Sequence, residues 1–264
     1  MRIKEIIAES ERIAPLSYSL AAIEKGYYDN SGLLIDGGAE ETENVLFALD
    51  LTEGAVENAK KCGAKLIFTH HPVIYKPIKS IGGLYAECVK NGISVYSAHL
   101  NLDIACGGID DGLCEILREA ANGGNKFDGS VAPGVKEIIV SSVGFGRAFQ
   151  VKPQKAEMLV NGLIAALNIK KYMFFGDKNR VVERVGSFCG AGLDEDAVIK
   201  SETEELLVSA DIPHHVLLAA LEKNKCVLQL THYSSEAFAF ERYAKKLCEK
   251  LKIKTCFYFD ERFI

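Results

Sequence analysis

Four histidines occupy equivalent places in the chain, and their type and spacing suit metal chemistry. Three segments share one pattern: Cys62 to His70, Asn91 to His99 and Asn224 to His232, each with its histidine eight residues after the first. Each runs from a helix end through a turn and a short strand to the histidine. His71 follows His70 directly, so four of the six histidines fall at such strand ends. Acids accompany them, since Asp103 follows His99 by four residues and Glu236 follows His232 by four. Imidazole with carboxylate, and no thiolate at hand, suits Zn, Fe, Mn, Co or Ni. In an extended strand His70 and His71 would point apart; in the bend before Pro72 they can reach two neighbouring ions, one each. A carboxylate bridging two ions ~3.5–4 Å apart completes the usual arrangement for activating a water. A single histidine at a strand end is more often a hydrogen-bonded terminus than a ligand. The metal reading rests on the repetition and its acids.

The elements that must carry these residues alternate between helix and strand. Helical periodicity covers 2–13, stopped at Pro15, then Thr52–Lys61 with Thr52 as N-cap, 84–90 and 110–121. Strand patterns fall at 33–35, 44–49, 65–68 and 93–96. Asn122-Gly123-Gly124-Asn125 breaks the pattern and marks the expected domain boundary. Beyond it come strands at 137–143, 184–189, 205–209, 227–230 and 254–259. Helices are expected there at 153–167, 194–201, 213–224 and 235–251, with Ser234 or Ser235 capping the last. The alternation predicts an α/β protein of two α/β domains, 1–125 and 126–239, with mixed, largely parallel sheets. Residues 240–264 are left able to pack back on the first domain. Each histidine then sits past the carboxyl end of a strand, the edge where open α/β sheets bind ligands.

Composition narrows the classes. The chain has 264 residues, of which 48% are hydrophobic and 25% charged, the balance of a globular protein. No apolar run approaches the ~18–20 residues of a membrane-spanning helix. The opening residues, Met1 to Ile7, form an amphipathic pattern rather than a signal peptide, which favours the cytoplasm. A net charge of −5 and the lack of a basic run argue against a nucleic-acid partner. The eight cysteines include no C-x-x-C pair and are expected to be reduced, mostly buried thiols.

The blocks Thr69-His70-His71-Pro72, His99-x-x-x-Asp103 with Gly107-Gly108, and Thr231-His232-Tyr233-Ser234-Ser235-Glu236 resemble the NIF-three-like family. Its YbgI-like bacterial members are called GTP cyclohydrolase I type 2 homologues. Asp29-Asn30-Ser31-Gly32-Leu33-Leu34 and Ser209-Ala210-Asp211 resemble two further blocks, so the likeness runs in order from residue 29 onward. It implies a dinuclear centre in the cleft between the domains, with His70, His71, Asp103, His232 and Glu236 as ligands and His99 beside them. It also implies two divalent transition-metal ions per chain, zinc or iron first and Mn, Co or Ni after them, and a hexameric ring of identical chains. The chain departs from the family pattern at Thr231 and Ala210, where glycine is more usual; neither change removes a ligand.

The expected function is a metal-dependent hydrolase with a metal-bridging hydroxide as nucleophile and His99 as proton shuttle. The family name points to opening of the GTP purine ring; a phosphoester or cyclic amide fits the residues equally well, so the substrate is a small molecule, nucleotide or phosphorylated. The alternative is a metal-delivery or scaffold protein with the same ligands and no catalysis. Tyr75, Lys76, Gly107, Gly108 and Tyr233 are the candidate substrate contacts. Lys79 joins Lys76 as a positive lip, weighed against a plain solvated loop. Gly107-Gly108 before a helix reads equally as an anion cradle or a tight turn capped by Asp110 or Asp111. Gly144-Phe145-Gly146-Arg147 and Gly190-Ala191-Gly192 match no nucleotide motif and read as strand ends and turns, with Arg147 available to an anion. Asp211 is a candidate partner for a ligating imidazole. His214 and His215 read as surface residues at a helix start.

Overall fold

The three His-terminated segments begin alike because each helix ends on a left-handed residue. Gly63 has φ +70°, Gly92 φ +65° and Asn224 φ +57°, a conformation that glycine and asparagine adopt at least cost. The chain turns there into a strand and delivers its histidine at the far end. The computed structural model describes residues 1–123, 132–140 and 143–263. They form two compact units, Met1–Gly108 with Phe240–Asp260, and Ile109–Ala239 with Glu261–Ile264.

The first unit contains, in chain order, α1 (Ile3–Ile13), α2 (Leu16–Glu24), β1 (Gly32–Ile35), β2 (Asn44–Ala48), α3 (Glu53–Cys62), β3 (Leu66–Thr69), α4 (Gly83–Lys90), β4 (Ser94–Ser97) and α5 (Leu100–Ile104). As expected, Thr52 caps α3, its hydroxyl accepting the Ala55 N–H at 3.2 Å. The second unit contains α6 (Ile109–Ala121), β5 (Ala132–Val140), β6 (Val143–Lys155), α7 (Ala156–Ala166), β7 (Tyr172–Phe175), β8 (Val181–Ser187), α8 (Glu195–Lys200), β9 (Leu206–Ala210), α9 (His214–Glu222) and β10 (Cys226–Leu230). α10 (His232–Leu251) begins in the second unit and ends in the first, followed by β11 (Lys254–Phe257).

The fold is α/β with two mixed sheets. The first has five strands in the order β1-β4-β3-β2-β11, parallel except for β1 at the edge. The second has six in the order β5-β6-β8-β9-β10-β7, and only β8, β9 and β10 run parallel. In the first unit, aliphatic side chains of β2, β3 and β4 pack under α3 and α4 around Leu46, Ile67 and Val95. On aromatic residues, Phe47 meets Phe240 at 5.8 Å and Phe68 meets Tyr243 at 6.0 Å. In the second unit Leu207, Val227, Val198 and Val216 form a corresponding cluster.

Several elements differ from expectation. The boundary placed at 125/126 lies outside the described residues, and the units divide instead at Gly108/Ile109. α6 joins the second unit because Asp110 accepts the N–H of Gly146 at 2.8 Å and of Cys189 at 2.9 Å, while Arg147 pairs with Asp111. Gly144–Arg147 forms the beginning of strand β6. The first seven residues of β6 are buried, so no alternation betrays the strand. The short α2, α5 and β7 went unforeseen. All eight cysteines are free. No helix among the described residues is long and apolar enough to cross a membrane.

Candidate metal centre

In the first unit β3 and β4 lie side by side and parallel, so their carboxyl ends set three imidazoles together. Ring centroids are 5.1 Å apart for His70 and His71, 5.4 Å for His70 and His99, and 5.8 Å for His71 and His99. Each ring is held through Nδ1. His70 Nδ1 lies 2.8 Å from the Ala98 carbonyl oxygen, His71 Nδ1 2.8 Å from Asp50 Oδ1, and His99 Nδ1 2.8 Å from Asp29 Oδ1. The one-turn helix α5 starts after His99 and carries Asp103 to His70, whose Nε2 lies 3.2 Å from Asp103 Oδ1. The sequence pairs Asp103 with His99; the structure pairs it with His70, because β3 and β4 are neighbours and α5 turns the carboxylate across. Burial pushes the Asp29 carboxyl up, but hydrogen bonds from His99, Ser19 and Ser31 outweigh it and hold it below its ordinary range. Asp29 therefore stays a carboxylate.

In the second unit His232 opens α10, and Glu236 lies one turn on, on the same face. His232 Nε2 is 3.1 Å from Glu236 Oε1, and His232 Nδ1 is 2.6 Å from Asp211 Oδ2, as the sequence proposed for Asp211. Burial pulls the imidazole down; the two carboxylates outweigh it and raise it to about 9. The helix cap is Thr231, not Ser234 or Ser235: its hydroxyl accepts the Ser234 N–H at 3.1 Å. Ser235 instead accepts the Gly190 N–H at 3.0 Å. Gly190 has φ +51°, and a Cβ there would run into Glu236 Oε1 and approach the His232 ring to 3.0 Å. The Gly190-Ala191-Gly192 run is the turn expected, closed by the Gly192 N–H on the Cys189 carbonyl at 2.9 Å, and Gly190 is a close-approach position within it.

All four strand-end histidines thus present Nε2, with Nδ1 spent on a carboxylate or carbonyl. That is how ligating imidazoles are oriented and kept in one tautomer. Neighbouring ligand atoms on one ion, with bonds of ~2.0–2.2 Å, lie about 2.9–3.5 Å apart. The His70–Asp103 and His232–Glu236 separations of 3.2 and 3.1 Å fall in that range, so the residues fit a divalent transition metal. His99 is anchored as the other three are. Asp29 and Asp50 were missed as anchors, though Asp50 follows β2 much as His70 follows β3, a position the strand-end rule covers.

The other candidates are placed as follows. Tyr75 and Lys76 lie exposed on the loop after His71, and Tyr75 packs its ring on Tyr28 at 4.4 Å. Tyr233 is buried and stacks on Phe263 at 5.6 Å. Gly108 serves the tight turn, donating its N–H to Ala105 at 2.9 Å. Arg147 is fully buried and bound to Asp111 and the Gly144 carbonyl, so it meets no solvent anion. His214 and His215 are exposed. Beside His71 a cavity of ≈ 360 Å³ is lined by Asp50, Leu51, Pro72, Val73, Leu84 and Tyr85.

Parallel strands with anchored histidines at their carboxyl ends define an α/β protein with candidate metal-ligand sets. The chain belongs to the Duf34/NIF3 (NGG1p interacting factor 3) family, which it matches over residues 1–261. The resemblance carried by its His and Asp blocks is borne out. A Clostridium perfringens protein named GTP cyclohydrolase 1 type 2 homolog is 30% identical over 258 residues, 95% of this chain and 93% of the relative. A hypothetical protein of Staphylococcus aureus has the same fold, with a TM-score of 0.81 at 22% identity over 98% of this chain and 97% of its own. The protein ybgI, of unknown function, follows it with a TM-score of 0.77 at 19% identity over 100% of each chain.

Proposed function

We propose that the chain is a dinuclear metal-dependent hydrolase acting on a small, nucleotide or phosphorylated molecule. The observation that carries this reading is the common anchoring of His70, His71, His99 and His232 through Nδ1. Four imidazoles oriented alike are costly to hold unless Nε2 has a task, and metal ligation is the commonest. His70, His71 and Asp103 in the first unit and His232 and Glu236 in the second are nitrogen and oxygen donors, the set that the family resemblance implies. Zinc or iron suits these nitrogen and oxygen donors. Bound there, a pair of such ions supplies Lewis acidity and a water nucleophile at neutral pH.

The chain's own residues do the rest. Asp50, Asp211 and the Ala98 carbonyl hold the ligating rings in position. His99, polarised by the Asp29 carboxylate, holds a proton at Nδ1 and can pass one at Nε2. The cavity beside His71 receives the less polar part of the substrate against Leu51, Val73 and Leu84. The name of the Clostridium relative points to GTP as the first substrate to try. A hexameric ring of identical chains, in the cytoplasm, is the assembly we propose.

Metal analysis of the protein purified without chelators tests the reading. About two transition-metal ions per chain are expected, with uptake lost on His71→Ala and Glu236→Ala. GTP and phosphoester turnover by the loaded protein, abolished by His99→Gln with metal retained, would establish the hydrolase. A chain that takes up no metal on reloading would overturn it. Metal bound without turnover of any such substrate would favour metal delivery.

A further inference from the structure

A second cavity of ≈ 450 Å³ lies within the second unit, at the opposite strand ends from His232. Three of its charged lining residues come just before the three parallel strands: Arg180 before β8, Glu205 before β9 and Lys225 before β10. The strands separate it from the His232 ends by roughly 15 Å, at ~3.3 Å per residue. None of the candidate metal ligands reaches it.

Among the described residues its two inner cations make no ion pair, though Glu204 and Glu205 lie near enough to attract Lys225. Arg180 Nε is buried with no hydrogen-bond partner among the described residues. Its backbone is fixed on both sides, the carbonyl accepting the Ala156 N–H at 2.8 Å and the N–H reaching Asp177 at 3.1 Å. Lys225 is buried and donates only to neutral carbonyls, those of Ser201 and Glu204. Burial holds its ammonium below the usual lysine range, and Arg180 adds to that against the pull of Glu204 and Glu205. Two like charges thus share one cavity. The inner acids are already engaged: Glu204 with Arg184 at 3.3 Å, and Glu205 with the N–H groups of Glu183 and Arg184 at 3.1 and 2.8 Å. Buried cationic groups without a counter-charge are costly unless an anion neutralises them.

A phosphate monoester carries about −1.5 to −2 at neutral pH, and of the four lining cations Arg184 alone makes an ion pair among the described residues, which leaves Arg180, Lys225 and Lys223 for it. Around the mouth, Glu183, Glu202 and Thr203 offer acceptors, which suit a ligand rich in hydroxyl or amino donors. The volume lies within the ~300–1,000 Å³ of small-molecule sites. We propose that this cavity binds a small phosphate monoester, its phosphate between Arg180, Lys225 and Lys223 and its hydroxyl or amino groups on Glu183, Glu202 and Thr203. The assignment stands apart from the metal reading.

Titration calorimetry with inorganic phosphate and with glucose 6-phosphate tests it on the full chain. One saturable site per chain is expected, with the sugar phosphate tighter. Arg180→Gln should weaken binding about tenfold or more, the value of a charge-assisted hydrogen bond, and the exposed Lys223→Gln should weaken it severalfold with no risk to folding. Lys178→Gln, whose ammonium pairs with Glu157 on the surface, should bind normally. Glu236→Gln should also bind normally; if it abolishes binding, the phosphate sits on the metal centre and the proposal fails. It fails equally if the wild-type chain shows no saturable binding, or if Arg180→Gln and Lys223→Gln bind as the wild type does.

Discussion

At Gly190 the left-handed backbone and the crowding by Glu236 and His232 act together. Gly190→Ala is expected to cost about 1–3 kcal/mol in backbone strain. It should also displace the Glu236 carboxylate, lowering metal affinity about 10- to 100-fold, as loss of a supporting partner does. Metal titration with a melting curve reads both effects. His232 sets a pH dependence. Held at about 9 by Glu236 and Asp211 against burial, it is protonated at neutral pH in chelator-treated protein. The folded value lies above the ordinary ~6.5, so this proton stabilises the chelator-treated fold in full below about 6.5, and the contribution fades as pH rises through about 9. A ligating imidazole must be neutral. Metal uptake near neutral pH should therefore release about one proton from this residue, with affinity falling about tenfold per pH unit on acidification. Calorimetry in buffers of differing ionisation enthalpy measures that release.

At the scale of elements, α10 depends on its first turn. Thr231 accepts the Ser234 N–H, and the turn it caps holds both His232 and Glu236. Thr231→Val keeps the shape and removes the acceptor, so it should cost about 1 kcal/mol and speed hydrogen exchange at the Ser234 amide before any global unfolding. The sequence offers three hydroxyls there, at 231, 234 and 235. Spacing favours the serines, but Ser235 is drawn off to Gly190 and to the His232 carbonyl at 2.7 Å. Capping at Thr231 also moves the helix start three residues earlier than periodicity indicates. β6 was illegible for the opposite reason: burial on both faces erases the alternation by which a strand is recognised.

Over the whole molecule, each unit has its own core and its own polar supports. Arg147 is fully buried in the second, between Asp111 and Asp110, and Asp110 also holds the backbone at Gly146 and Cys189. Arg147→Leu leaves those carboxylates without their cation and should destabilise the second unit by about 3–5 kcal/mol, read by urea unfolding. Metal at a hundredfold excess over its Kd should stabilise the chain by about 2.7 kcal/mol. A chelator should remove that gain in a melting experiment.

The sequence alone determined the α/β class, the strand ends and the histidines upon them. These are local properties: a left-handed residue at a helix end, a short apolar strand and a histidine all lie within nine residues, and turn chemistry and periodicity act over that range. Tertiary structure alone decided which acid serves which ring. Asp29 meets His99 across 70 residues and Asp50 meets His71 across 21, and both pairings follow from the strand order β1-β4-β3-β2. Strand order is set by which faces bury together, and no spacing along the chain records it.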